Sequence, residues 1–265
     1  MERKTVVLTG ASRGIGRIIA KSLAENGYDI IGVARSESGL SETENIVTQF
    51  GAKFSPIPAD LSDQANLFEL YENVLRIQPN IFALINNAGV EYYQHFEKNM
   101  LEDVIRILNT NLLAPIELTR LFWKELEASH GAVVSIGSLA GKKGVAYNSL
   151  YSASKAGLIK WSEGLRQEKK SSGVGITVVC PGYIADTGMF FDGHIDPPGL
   201  LGTSPPEAVA EAVLKALTNP SREIIVNKGP IRPLLALNQI APKFGDWIVK
   251  LMGVVDLSRR RISEG

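Results

Sequence analysis

Thr9-Gly10-Ala11-Ser12-Arg13-Gly14-Ile15-Gly16 closes a short apolar run, Thr5–Thr9, and opens an amphipathic stretch at about Ile15–Glu25. A glycine-rich turn between strand and helix lets the main chain approach a pyrophosphate, whose charge then rests on the positive helix end. Three residues separate Gly10 from Gly14, so the spacing is not the common G-x-G-x-x-G, and a glycine turn alone is weak evidence. Its place between strand and helix gives it weight. The turn lacks Gly-Lys-Ser/Thr, which excludes a P-loop nucleotide hydrolase.

The same alternation continues outward. Short Val- and Ile-rich runs at Thr5–Thr9, Ile30–Ala34, Lys53–Ile57, Phe82–Asn86, Ala132–Ile136, Ile176–Cys180 and Glu223–Val226 read as strands buried on both faces. Helical patterns lie between them, at about Ile15–Glu25, Ser41–Phe50, Gln64–Ile77, Leu101–Glu127, Ser149–Lys169 and Pro205–Leu217. This order implies an α/β chain, a Rossmann-type doubly wound parallel sheet of about seven strands with helices on both faces. No repeat or linker divides it. A single domain over 1–265 is expected, with a cofactor half at about 1–130, a catalytic and substrate half at about 131–227, and a helical extension at 228–265. Tyr183 to Ser204, broken by Gly188, Gly193, Pro197, Pro198, Gly199 and Gly202, reads as a mobile substrate loop.

Composition narrows the classes. Among 265 residues, 28 Lys and Arg balance 28 Asp and Glu, so no basic excess points to nucleic acid. With 45% hydrophobic residues the chain can bury a sizeable core without disulfides or metals. Cys180 stands alone, which precludes an internal disulfide and fits a reducing compartment. His95, His130 and His194 are scattered without metal-ligand spacing, so no metal is expected. No secretory signal is evident, and no apolar run reaches the ~18 residues of a spanning helix. The expected location is the cytoplasm.

The tip of the second strand bears on the cofactor. Dinucleotide sites that bind a free ribose 2′-hydroxyl carry an acid there, whereas an arginine accommodates a 2′-phosphate. Here the strand ends Gly32-Val33-Ala34-Arg35-Ser36, without a carboxylate. Arg13 and Arg35 can converge on that phosphate, a geometry guanidinium groups suit. NADP(H) is expected over NAD(H).

Tyr151-Ser152-Ala153-Ser154-Lys155 opens a helix, and positions four apart share a face. A free phenol has a pKa near ~10; an adjacent ammonium and a cationic nicotinamide would lower it. Such a pair alone is a common accident. In combination, however, Thr9-Gly-x-x-x-Gly-x-Gly16, Asn86-Asn87-Ala88-Gly89, Asn111, Ser138, Tyr151-x-x-x-Lys155 and Pro181-Gly182 resemble, in order and spacing, the short-chain dehydrogenase/reductase family of the classical type. The resemblance runs from about Lys4 to Val226.

The resemblance implies roles. Ser138 orients the substrate carbonyl, Tyr151 donates or removes the proton, and Lys155 bonds the nicotinamide ribose and lowers the tyrosine pKa. The Asn111 backbone holds a water in the proton relay. Gly10, Ser12, Arg13, Gly14, Ile15 and Gly16 cradle the cofactor, and Arg35 takes the 2′-phosphate. Asp60 and Leu61 contact the adenine. Asn87, Ala88 and Gly89 sit behind its ribose, and Pro181, Gly182 and Ile184 complete the nicotinamide end. In similar enzymes a threonine that bonds the carboxamide stands where this chain has Asp186, with Thr187 one later; Ile184, through its backbone, is therefore preferred. Homodimers or homotetramers packed through the long helices are expected.

Beyond Asn227, Leu234, Leu235, Leu237, Ile240, Trp247, Ile248, Leu251 and Met252 recur at helical spacing, and Arg259-Arg260-Arg261 follows. A pair of helices covering the substrate cleft or a subunit interface is preferred to a membrane-surface contact. Either implies an apolar substrate. The expected activity is NADP(H)-dependent reduction of an apolar ketone or 3-oxoacyl carbonyl, with oxidation of the secondary alcohol as its reverse. The alternative is a non-catalytic dinucleotide-binding regulator of the same fold.

Overall fold

The computed structural model describes residues 3–168, 172–187, 202–220 and 223–263. Strands β1 (Lys4–Thr9), β2 (Tyr28–Ala34), β3 (Phe54–Pro58), β4 (Ile81–Asn86), β5 (Ala132–Ile136), β6 (Gly175–Pro181) and β7 (Glu223–Val226) form one sheet. Their order is β3-β2-β1-β4-β5-β6-β7, and every pairing is parallel. In β1, Val6 and Leu8 face one core and Val7 the other, all of them buried. A strand covered on both sides has no polar face to alternate with, hence its continuous apolar run.

Helices α1 (Gly14–Glu25), α2 (Glu37–Thr48) and α8 (Pro206–Thr218) fill the first core with Ile19, Leu23, Leu40 and Val213. Helices α3 (Leu67–Ile77), α5 (Ala114–Leu121) and α6 (Trp123–Ala128) fill the second, where Phe122 is fully buried with its ring edge-on to Tyr71 at 5.0 Å. Helices α4 (Leu101–Leu108) and α7 (Ser149–Glu168) pack together, and α9 (Ile231–Ile240), α10 (Pro242–Leu251) and α11 (Val254–Ser263) follow β7.

Seven strands match the expected number, with small shifts at their ends. Lys53 lies outside β3 because its N–H is taken by the Asp29 carboxylate at 2.8 Å. α2 starts at Glu37 rather than Ser41, since Ser36 caps it by accepting the Gly39 N–H at 3.1 Å. The expected helix Leu101–Glu127 is not continuous: α4 passes into a π turn at Asn109–Leu113, then α5, then α6. Pro115 supplies the reason, because an α-helical turn would have residue 115 donate to the Asn111 carbonyl and proline has no N–H. The tail is three helices rather than two.

From β1 the chain winds outward to β3, then crosses back to β4 on the other side of β1. Sheets of this kind bind ligands at the carboxyl ends of the strands, where the winding reverses. Both the glycine turn after β1 and the Asn87–Gly89 turn after β4 open there.

Candidate functional site

Two turns are locked together at the switch between β1 and β4. The Thr9 hydroxyl accepts the N–H groups of Asn87 and Ala88, each at 3.0 Å, and the Asn87 amide donates to the carbonyls of Thr9 and Gly10 at 2.9 and 3.2 Å. Gly10 has φ +68°, and a Cβ on Gly16 would lie 1.9 Å from the Gly10 carbonyl oxygen. No other residue fits at position 16. α1 begins with no side-chain cap and no acidic residue in its first turn. Its N–H groups and positive end therefore remain available to an anion.

Arg17 fixes the turn from behind, donating to the Ser12 carbonyl at 2.5 Å while pairing with Glu42 on α2 at 2.6 Å. At the tip of β2, Arg35 lies 4.0 Å from Asp60, and both are substantially exposed. Partial burial opposes ionisation of Asp60, but hydrogen bonds from the Ser62 N–H and hydroxyl, with Arg35, hold its carboxyl below the ordinary range.

A cavity of about 1500 Å³ runs from these turns across the sheet to the C-terminal helices. Gly10, Ser12, Arg13, Gly14, Ile15, Gly16, Arg35, Asp60, Leu61, Asn87, Ala88, Gly89, Ser138, Tyr151, Lys155, Pro181, Gly182 and Ile184 all line it. Asn111 is the exception and lies behind the wall, fully buried. Its side chain accepts the Val90 N–H and donates to the Val90 carbonyl, both at 2.8 Å, and donates to Ser154 at 3.1 Å. Ser154 in turn donates to the Tyr151 carbonyl at 2.7 Å, so the π turn is tied to the first turn of α7. Asn109 instead secures the loop after β3 through the Ser62 carbonyl.

Ser138 follows β5 and hydrogen-bonds to Tyr151; its hydroxyl also accepts the Ala140 N–H at 3.1 Å. Tyr151 is 7% exposed and Lys155 3%. The Lys155 ammonium donates to the Ile136 carbonyl at 2.7 Å and lies 5.7 Å from the Tyr151 ring centre. A Cβ on Gly89 would sit 3.5 Å from that nitrogen, in ordinary van der Waals contact.

The expected depression of the Tyr151 pKa is not what the chain's own groups produce. Burial, and next the Glu91 carboxylate, raise it above the ordinary phenol value, against the Ser138 hydrogen bond. Burial also lowers Lys155 to about 8 and raises Cys180 and Tyr183 to about 12 each.

Past Pro181-Gly182, Asp186 takes a left-handed φ of +61° and the Thr187 N–H turns back to the Ala185 carbonyl at 2.7 Å. That bend returns Thr187 to the cavity wall alongside Ile184. Most of the expected substrate loop, residues 188–201 with Gly188, Gly193, Pro197, Pro198 and Gly199, lies outside the described residues, as does His194.

The tail divides by face. Ile231, Leu235, Val249, Val254 and Ile262 line the cavity, whereas Ile240, Trp247 and Leu251 point outward at 84%, 55% and 69% exposure. Arg261, read in sequence as part of a basic run, is buried against Glu91 and Tyr93. Sequence reasoning missed Glu91 and Tyr93, whose only signal was their position just after Asn87-Ala88-Gly89. Among the described residues no group of His, Cys, Asp and Glu could hold a metal ion, and no helix is long and apolar enough to cross a membrane.

Residues 4–193 match the family model described as short chain dehydrogenase. A ketoacyl reductase, HetN, from Nostoc sp. is 47% identical over an alignment covering 97% of this chain and 92% of that protein. The 3-oxoacyl-acyl-carrier-protein reductase FabG of Escherichia coli is 34% identical over 184 residues, 69% of this chain and 74% of its own. A metagenomic short-chain oxidoreductase, solved in complex with NADP, superposes with a TM-score of 0.73 at 28% identity, covering 84% of this chain and 96% of that one. A family match that takes in strands β1 to β6, with relatives aligned over most of both chains, leads to one conclusion: this chain is a member of the short-chain dehydrogenase family.

Proposed function

We propose that the protein is an NADP(H)-dependent oxidoreductase that reduces an apolar carbonyl of the 3-oxoacyl type to its secondary alcohol. The observation that carries this reading is the meeting of Ser138, Tyr151 and Lys155 in the cavity that also contains the glycine turn. The cradle fits a dinucleotide: glycines where a Cβ would collide, an uncapped helix end, and no carboxylate at the tip of β2. When bound, the nicotinamide supplies the hydride. Ser138 hydrogen-bonds the carbonyl oxygen and orients it, and Tyr151 gives that oxygen a proton as charge develops on it. Burial keeps the Tyr151 phenol protonated, which suits a donor in the reductive direction. Lys155 holds the nicotinamide ribose and places an ammonium beside the phenol. Asn111 anchors the Val90 main chain and offers its carbonyl, which Pro115 cannot engage in an α-helical bond, to a relay water.

The 3-oxoacyl class draws on the two reductases matched above, and the apolar preference on the aliphatic wall from α9, α10 and α11. The extension 228–265 is then the cover of a single-domain enzyme. Exposed Leu101 and Ile105 on α4, beside Phe96 and Met100, suit association of copies through that helix. The buried Cys180 thiol suits a reducing cytoplasm.

Tyr151→Phe tests the mechanism with NADPH and acetoacetyl-CoA. Turnover should fall about 10²- to 10⁴-fold, the usual worth of a positioned acid, while NADPH binding persists. Full turnover by that variant refutes the reading.

A further inference from the structure

The proposed chemistry gives no role to a compact ionisable group in the chamber. Glu91 lies two residues beyond Gly89 and keeps 12% of its side-chain surface exposed. One carboxylate oxygen is 3.2 Å from Arg261 Nη1, and the other accepts the Asn148 amide at 3.1 Å. Arg261 is 8% exposed, and its guanidinium covers the Tyr93 ring 4.2 Å from the centre. Glu91 belongs to the loop after β4 and Arg261 to α11, so the pair fastens the end of the chain to the catalytic chamber.

The groups facing Tyr151 can be named. Lys155 stands one turn along α7, Ser138 bonds it from the end of β5, and Cys180 approaches from β6. Glu91 and Tyr93 share the cavity wall with it from the loop after β4. Asn148, three residues before Tyr151, holds the Glu91 carboxylate, and Arg261 faces Glu91, Tyr93 and Tyr183 from α11. Glu91 is the one carboxylate in this set. Its charge supports the Lys155 ammonium, which burial disfavours, yet the same charge opposes ionisation of Tyr151. A guanidinium paired with it reduces that opposition. Burying an ion pair also costs desolvation that an apolar contact would avoid, so anchoring α11 alone is a poor reason to keep one.

We propose that Arg261 is a positioning residue for proton transfer at Tyr151: by pairing with Glu91 from the C-terminal extension, it cancels the charge facing the phenol and makes catalysis depend on a docked α11. The proposal rests on Tyr151 being the acid/base. Removing Arg261 leaves Glu91 unopposed, so phenolate becomes harder to form; removing Glu91 does the reverse.

The test is the pH profile of kcat for oxidation of 3-hydroxybutyryl-CoA with NADP+. Arg261→Gln should move the limb that reports Tyr151 ionisation to higher pH by about one unit, and Glu91→Gln should move it to lower pH by a similar amount. Arg261→Lys, which keeps the charge, should leave the limb near the wild-type position. A purely structural pair would raise KM or lower thermal stability in both glutamine variants with the limb unmoved, and that result overturns the proposal. Should Arg261→Gln fail to fold, the nearly isosteric Glu91→Gln decides the question alone. Tyr151→Phe separates the two levels: full turnover there removes the acid/base reading itself, whereas its loss together with an unmoved limb removes only the role of Arg261.

Discussion

Replacing Arg35 with alanine isolates the ribose 2′-phosphate from the rest of the dinucleotide. In the structure the guanidinium is 55% exposed and its nearest anion is the Asp60 carboxylate at 4.0 Å. That contact is long and solvated, so it is worth little and yields readily to a phosphate. A hydrogen bond to a charged group contributes about 1.5–3 kcal/mol, and exposure on this scale argues for the lower end. At about 1.5 kcal/mol, Arg35→Ala should weaken NADPH roughly tenfold and leave NADH, which lacks the phosphate, nearly unchanged. Titrating both cofactors by quenching of protein fluorescence measures the two dissociation constants directly. Raising the salt should narrow the gap between wild type and variant, because the contact lies within reach of screening ions. Equal weakening of NADPH and NADH, or wild-type protein that binds NADH as tightly as NADPH, refutes the assignment of this corner to a 2′-phosphate.

Three further outcomes follow from the geometry. Gly16→Ala forces a Cβ to within 1.9 Å of the Gly10 carbonyl, so the turn must open; the loss should be about 2 kcal/mol, read as a fall of roughly 5 °C in Tm, with NADPH binding impaired. Burial raises the folded pKa of Glu91 above its ordinary 4.5, against Arg261 and Asn148. Its contribution to stability is therefore complete below 4.5 and is lost as pH rises through the folded value. The wild type should lose stability relative to Glu91→Gln over that rise, and a pH-independent difference in Tm between them would contradict the burial argument. Leu235→Asn places an amide in the aliphatic wall; kcat/KM for a long-chain 3-oxoacyl-CoA should fall about tenfold more than for acetoacetyl-CoA, and an unchanged ratio would dissociate the tail from substrate choice.

The sheet was legible because its physics is local. A strand buried on both faces is apolar almost throughout, as β1, β4 and β5 show. Although the edge strands β3 and β7 are only partly buried, seven short apolar runs separated by helical patterns leave few arrangements open. The ends of elements were less legible where side chains decide them: the Ser36 cap moves the start of α2, and the Asp29 carboxylate takes the Lys53 N–H while the Lys53 carbonyl still accepts from Ile30. Pro115 was visible in sequence, but its consequence depends on where the freed carbonyl points, which only the packed π turn fixes. Thr187 is similar: it reaches the cavity wall just after the left-handed Asp186, a conformation that non-glycine residues adopt uncommonly and that sequence does not announce.

Electrostatics were the least legible, and for a definite reason. The i and i+4 spacing of Tyr151 and Lys155 reports a shared helix face, and from it the ammonium was expected to govern the phenol. Spacing says nothing of desolvation, which here moves both groups away from their charged forms. Nor does any local period connect Glu91, beside the cofactor turn, with Arg261, near the end of the chain. Their pairing exists only because α9, α10 and α11 fold back over the cavity, so the charge balance around the Tyr151 phenol is a tertiary property. Two chains with the same Ser138, Tyr151 and Lys155 spacing can then differ in the pH at which they work, according to what their C-terminal segments bring to the loop after β4.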